Sequence, residues 1–311
     1  MGLGIRGSGF APRCALLIAL VVIGSLSMAA ASYQPPPPAG PRVIDILKLK
    51  DNLYVLTSST PGNEATFSGG NVAVFITDSG VTLVDDKLAG WGQAALDKIK
   101  TVTPKPVTRI INTHTHGDHV GNNEFFGGAT VEIVAQANTK TNMEKMDAFK
   151  GDKAQFLPKK TFTDKLSVGS GKERIDLYYF GPGHTNGDTF VVFPALRVLH
   201  MGDMFAWKDG PGCDRANGGT CIAFPQTLAK VVANIKDVDT VIPGHSPMMT
   251  PKDVQEYQRF TADLAAHAQA AHKGGKTVDE ALASFSVDKY PGYKKERVQG
   301  AIQAVYDELK K

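Results

Sequence analysis

Within six residues the chain sets three histidines and an aspartate in the order His114-Thr115-His116-Gly117-Asp118-His119. Any fold it adopts has to place these side chains as a group. They follow Val107-Thr108-Arg109-Ile110-Ile111, an apolar run that reads as a buried strand, so the cluster begins where a strand ends. Segments at strand ends are where rigid scaffolds present chemistry, and Gly117 and Gly121 permit a tight turn there. Imidazole and carboxylate groups so spaced are donors for zinc and similar ions. A run of solvated surface histidines would have no reason to sit at the end of a buried strand. The cluster therefore predicts a metal-binding loop carried by a β-sheet.

The N-terminus belongs to a different argument. Residues 1–13 hold Arg6 and Arg13 and no acidic residue; a mostly apolar run from Cys14 follows and ends in Ala29-Ala30-Ala31. This is the layout of a cleavable secretory signal peptide over residues 1–31. The apolar stretch is short against the ~20 residues of a spanning helix, so no stable membrane anchor is expected. Ser32 to Pro41, with four consecutive prolines, reads as an extended linker, leaving 42–311 as the folded domain with helices at its C-terminal end. The whole chain carries a net charge of +3, and +1 without Arg6 and Arg13, which offers no footprint for nucleic acid or an anionic membrane. Cys213 and Cys221 lie eight apart in a Gly-rich segment. A periplasmic or secreted location favours a disulfide between them over a metal-binding pair, since no Cys-x-x-Cys spacing is present.

Periodicity predicts strands at 53–56, 72–77 and 81–84, the last two joined as a hairpin through Asp78-Ser79-Gly80. It predicts a helix at 94–99, the strand at 107–111 and a helix over 138–149. Strands at 175–180, 189–193 and 197–200 follow, then a helix at 224–235, a short strand at 240–242 and a long helix at 252–272. Helices at 278–285 and 294–309 close the chain. Strands with interspersed helices in two successive halves suggest an α+β sheet-on-sheet core flanked by helices.

The cluster resembles the His-x-His-x-Asp-His signature of the metallo-β-lactamase superfamily, and the resemblance extends from about Asn52 to Pro247. Val81-Thr82-Leu83-Val84-Asp85-Asp86 is similar to that family's early strand ending in a structural Asp. Gly183-His184-Thr185, Met201-Gly202-Asp203 and Pro243-Gly244-His245 follow in the family's order. The resemblance implies an αβ/βα sandwich of two mixed β-sheets flanked by helices. It also implies that His114, His116 and His184 hold one metal, that Asp118, His119 and His245 hold a second, and that Asp203 bridges both. Seven ligands are too many for one tetrahedral zinc and about right for two, with iron or manganese as alternative ions. Asp118 has a second, catalytic reading: with a single metal bound it would orient water or carry a proton. His200 is expected to pack in its strand or donate an outer hydrogen bond, and Asp85, Asn186 and Asp188 to orient ligands. His267 and His272, on the long helix, are expected to be solvated.

The implied chemistry is attack of a metal-bound hydroxide on the acyl bond of a small molecule: a lactone, a β-lactam or a thioester. Asp203 departs from the Cys or Ser of the class B β-lactamases and resembles hydroxyacylglutathione hydrolase and the lactonases. The chain lacks room for the large insertion of the family's nuclease branch. Two readings from other classes stand beside hydrolysis. One is an oxidoreductase like the mononuclear-iron persulfide dioxygenases, and the other is a non-catalytic metal-binding protein. His116 counts against the flavin-linked di-iron relatives, which carry Glu there. Segments 58–71, with Phe67 and three glycines, and 205–224, with Phe205 and Trp207, are the expected pocket walls. Lys208 and Arg215 are candidate partners for a substrate carboxylate. The sequence carries no signal for a particular oligomeric state.

Overall fold

A computed structural model describes residues 1, 44–57 and 66–310. The expected signal peptide and linker, and most of the first pocket wall, lie outside the described residues. Among those described, no helix is long and apolar enough to cross a membrane.

Among the described residues, twelve strands form two sheets. The first, in the order β1-β2-β3-β4-β5-β6-β7, comprises Ile46–Lys50, Leu53–Leu56, Val72–Thr77, Gly80–Val84, Val107–Asn112, Glu132–Gln136 and Lys160–Phe162. Its pairing is antiparallel from β1 to β4 and parallel from β4 to β7. The second sheet is ordered β12-β11-β10-β9-β8, from Thr240–Pro243, Val198–Gly202, Phe190–Phe193, Ile175–Tyr178 and Lys165–Val168. Only β11 and β12 run parallel in it.

Side-chain alternation along the strands builds the layers. Ala73 and Phe75 of β3 point into a core shared with Ile111, Val191, Phe193 and Ile242, so the two sheets pack face to face. Val72 and Val74, on the other face of the same strand, pack on Trp91, Ala95 and Ile99 beside and in helix α1, Gly92–Lys100. The second sheet repeats this. Val192, Leu199 and Val241 face outward onto three helices: α5 (Phe224–Asn234), α6 (Pro251–Lys273) and α8 (Gln299–Leu309). Between these lie the shorter α2 (Gly117–Val120), α3 (Asn123–Phe126), α4 (Ala137–Met143) and α7 (Val278–Ser284). The architecture is the expected α+β sandwich, helices outside and two mixed sheets inside. Strands apolar on both faces are what such a four-layer packing demands.

Two expected helices are shorter than their patterns. The helix expected over 138–149 ends at Met143, and a single 3-10 turn covers Asp147–Phe149. Phe149 and Met143 both pack on Val120. Six residues apart on a continuing helix they would point about 120° apart, so the chain has to break to bury both. The last helix begins at Gln299 rather than 294, after a 3-10 turn at Lys295–Arg297. His267 and His272 are half-buried, not solvated: His267 Nε2 lies 2.8 Å from the Ala281 carbonyl, and His272 meets the Tyr306 ring edge-on at 4.9 Å.

The halves are tied across the site end by Asn71. Its backbone N–H donates to Gly244 O (2.6 Å), and its buried amide donates to Pro243 O and Ser246 O, both at 2.8 Å. Asn71→Ala leaves two carbonyls without their donor and should destabilise the protein by about 2–4 kcal/mol in urea titration. A loss below about 0.5 kcal/mol would mean that other contacts carry this join.

Candidate metal centre

Four strand ends meet at one place. β4 ends at Val84 and leads into Asp85; β5 ends at Asn112 and leads into the histidine cluster; β11 ends at Gly202 before Asp203; β12 ends at Pro243 before Gly244 and His245. Two of the parallel pairs, β4 with β5 and β11 with β12, open their carboxyl ends here, and that edge of a parallel sheet commonly carries sites. After β5, His116 stays extended (φ −68°, ψ 143°), and then a single helical turn, α2, carries Asp118 and His119.

All seven residues picked from the sequence converge, in two groups able to hold metal ions. His114, His116, His184 and Asp203 form one, and Asp118, His119 and His245 form the other. In the first, His184 Nε2 lies 2.9 Å from His116 Nδ1. In the second, His245 Nε2 lies 3.2 Å from His119 Nε2 and 3.3 Å from an Asp118 oxygen. Asp203 reaches both groups: one oxygen is 3.3 Å from His119 Nε2, and the other is 3.2 Å from His245 Nε2 and 3.7 Å from His184 Nε2. Gly244 is required beside it, because a Cβ there would stand 1.9 Å from Asp203 Oδ1.

Outer hydrogen bonds set which ring nitrogen of three of the histidines faces inward. His119 Nδ1 contacts Asp85 Oδ2 at 2.8 Å, His116 Nε2 contacts Asp214 Oδ2 at 2.8 Å, and His184 Nδ1 contacts the Gly212 carbonyl at 2.8 Å. An imidazole that donates through one nitrogen presents the lone pair of the other. His114 Nε2, Asp203 Oδ1 and His245 Nδ1 are buried without a hydrogen-bond partner among the described residues. Such atoms are costly unless something takes them.

The electrostatics fit a cation as well. Burial, together with the neighbouring His119, pushes the His114 imidazolium well below its usual range, and burial lowers His184 too, so both are neutral donors. Burial alone would lower His119, but Asp203, Asp118 and Asp85 outweigh it and hold that ring well above the ordinary value. Burial would likewise raise Asp203, but His119 and His245 keep it well below. A positive charge is already demanded at this point by three carboxylates.

The remaining expectations sort clearly. His200 stays in its strand: it accepts from Gly202 N–H (3.1 Å), and its Nε2 faces the Asn71 carbonyl (3.2 Å). Asp188 clasps Thr185 through the backbone N–H and the hydroxyl, and burial raises its carboxyl to about 7. Asn186 receives the Asn142 amide. Phe67 and Trp207 flank the His245 ring at centroid distances of 5.8 and 5.3 Å. Phe205, expected on the pocket wall, is instead fully buried against Tyr257. Lys208 is committed to helix α6, 2.8 Å from Asp253 and 3.0 Å from Glu256, and Arg215 is exposed on the turn after Asp214. Cys213 and Cys221 are joined as a disulfide.

Three outer residues escaped the sequence reading: Asp214, Gly212 and Lys87. Lys87 is fully buried at φ 78°, and its ammonium donates to Thr57 O (2.7 Å) and Gly70 O (2.8 Å). Gly70 lies flat on the site, where a Cβ would come within 2.2 Å of His119 Cε1.

The family model described as the metallo-beta-lactamase superfamily matches residues 65–245. A metallo-beta-lactamase type 2 from Elizabethkingia meningoseptica is 28% identical over 236 residues, 74% of this chain and 88% of that protein. The solved metallo-beta-lactamase from Pontibacter korlensis superposes with a TM-score of 0.61 at 20% identity, covering 71% of this chain and 99% of that one. A stereoselective inverting sec-alkylsulfatase from Pseudomonas sp. superposes at 0.70 with 15% identity, over 86% of this chain and half of that one. The two structural likenesses show a common fold.

Lys87 generates a pH prediction. Burial lowers its ammonium to about 7, against partial support from Asp118 and Asp85, while in the unfolded chain it would titrate near ~10.4. Between those values the unfolded chain binds the extra proton, so stability rises with pH across about 7 to 10. Lys87→Met lacks this term. Wild type should therefore gain on the variant by about 1 kcal/mol per pH unit in the middle of that window, read by denaturant titration from pH 7 to 9.5. A gap independent of pH would refute a neutral buried amine.

Proposed function

The chain belongs to the metallo-beta-lactamase superfamily, and from that premise we propose that it is an exported two-zinc hydrolase of small acyl compounds. Membership makes it a metal-dependent hydrolase; the ion, its count, the bond cleaved and the export are this proposal's own. The observation that carries it is the convergence of seven donors in two groups with Asp203 between them.

In this reading His114, His116 and His184 would hold one ion and Asp118, His119 and His245 the other, with Asp203, whose oxygens lie near histidines of both groups, available to either. Zinc so held supplies Lewis acidity toward a carbonyl and brings the pKa of a bound water to about 7. The chain's residues supply the rest. Asp118 is the ligand carboxylate most open to the mouth, its side chain 22% exposed, so it can orient the incoming group and take up or release a proton there. Phe67 and Trp207 give an apolar wall against which an acyl chain or ring can lie. Asp85, Asp214 and the Gly212 carbonyl keep the imidazoles in place, so no reorganisation is needed when substrate enters.

Lactones, β-lactams and thioesters are the substrate classes proposed, with Asp203 favouring lactones and thioesters. Export is supported by the charge and apolar pattern of residues 1–31 and by the disulfide, which persists in an oxidising compartment.

The test is turnover of one chromogenic member of each class by the zinc-loaded protein, with and without a chelator. Chelator-sensitive hydrolysis of at least one class is expected, and Asp118→Ala should lower kcat by about 10²–10⁴-fold with the fold retained. Protein that binds two zinc ions and turns over none of the three would overturn the proposal.

A further inference from the structure

Two of the three histidines in the first group are held from one short loop. Gly212 and Asp214, the residues on either side of Cys213, contact His184 Nδ1 and His116 Nε2 respectively, each at 2.8 Å. With both outer nitrogens donating, His184 Nε2 and His116 Nδ1 are left as lone-pair donors that face one another at 2.9 Å and would hold the ion of this group.

This loop is itself closely fitted. Asp214 N–H donates to His184 O (2.8 Å), Gly219 N–H to Asp214 O (2.7 Å), and Thr220 N–H to Gly183 O (2.9 Å), wrapping the loop around the segment that carries His184. The Asp214 carboxylate also accepts from the Asn217 amide (2.6 Å) and from Ala216 N–H (3.0 Å). The Cys213–Cys221 disulfide closes the loop at its base. At the Cys221 end, Glu308 of helix α8 takes the Cys221 N–H (2.6 Å) and the Thr220 hydroxyl. A continuous path thus runs from the last helix through Glu308 and the disulfide to the outer nitrogens of His116 and His184. In the second group His119 is oriented instead by Asp85, which follows the end of β4.

We propose that the disulfide-closed loop 213–221, anchored by Glu308, is a positioning element specific to the first metal group. Asp214 and Glu308 act on the ion only through other residues: Asp214 through His116, Glu308 through the loop. Opening the disulfide lets Gly212 and Asp214 drift from the two imidazoles, which then sample wrong orientations and bind metal less tightly. The inference rests on the metal-binding part of the proposed function and not on any substrate.

The test is zinc affinity of the full chain, measured by competition with a chromophoric chelator in two backgrounds. His245→Ala leaves the first group intact, and His184→Ala leaves the second. Into each is placed Cys213→Ser with Cys221→Ser, which opens the loop without thiol reductants that themselves bind zinc. Zinc affinity of the first group should fall about 10–100-fold, as loss of outer-shell support does, with the second group unchanged within about twofold. Glu308→Gln should lower the first group's affinity in the same direction. Asp214→Asn, which keeps an acceptor for His116, should retain more affinity than Asp214→Ala, and the visible spectrum of cobalt(II) bound at the first group should change with Asp214→Ala. Equal losses in both groups, or none in a folded variant, would overturn the proposal. If circular dichroism shows the double serine variant unfolded, the Asp214 pair decides by the same criteria. Wild type that binds two zinc ions but hydrolyses no acyl compound would sink the proposed activity and leave this result standing.

Discussion

One buried carboxylate joins the fold to its chemistry. Asp85 leaves β4 with left-handed backbone (φ 66°), a conformation Asp tolerates better than most residues. It accepts from Thr113 N–H, from the Thr113 hydroxyl and from His119 Nδ1, each at 2.8 Å. A fully buried carboxylate is costly unless hydrogen-bonded, and these charge-assisted bonds are the strong kind. All three donors come from the end of β5 or the loop beyond it. The bonds that relieve the buried charge therefore also hold β5 beside β4 and aim the imidazole of His119. Fold and site cannot be separated here: a slip of β5 by one residue would cost the sheet its alternation and Asp85 its donors together.

The rest of the centre is locally unfavourable for the bare polypeptide. His114 packs within 4.2 Å of the His119 ring and 4.8–4.9 Å of His184 and His116. Buried polar atoms left without partners cost about 1–3 kcal/mol each. What holds such a cluster together is the apolar sandwich on both sides: Phe75, Phe193 and Ile111 between the sheets, and Phe205, Phe224, Tyr257 and Phe260 behind the second sheet. A cation that takes several of these lone pairs at once reverses the sign of their contribution, which couples metal binding to folding.

The sequence made the strands of the central layers legible because they are short, nearly continuous apolar runs bounded by turn residues, and β2 and β3 fall where those runs lie. It missed β1, Ile46-Leu47-Lys48-Leu49-Lys50, an edge strand whose alternation is weakened by exposure on both faces. It also missed β6, β7 and β8, which are only three to five residues long and whose pairing is decided by neighbours rather than by local propensity. His114, His116, Asp118 and His119 were legible as a cluster at the end of a buried strand, and His184, Asp203 and His245 through the order of motifs that resembles the metallo-β-lactamase superfamily. Their outer partners were not. Asp214 is 98 residues from His116, and Gly212 contributes a backbone carbonyl, which every residue type has. The expectation that Lys208 serves a substrate failed for a similar reason: its partners, Asp253 and Glu256, lie on a helix more than forty residues away.

Lys87 shows what a buried amine does beside a centre of this kind. Its amine bonds to Thr57 O and Gly70 O, so one buried side chain ties the two carbonyls together. Gly70 in turn fits against the His119 ring so closely that no Cβ could be added. An apolar side chain could fill the same volume but could not donate to two carbonyls, and a Gln amide, though it carries two N–H groups, is shorter than a Lys stem. The positive φ at Lys87 is backbone strain of order 1 kcal/mol, held because the surroundings over-determine it. The pinned carbonyl keeps Gly70 on His119, and His119 is kept by Asp85, so the ligand is fixed from two sides by residues two positions apart.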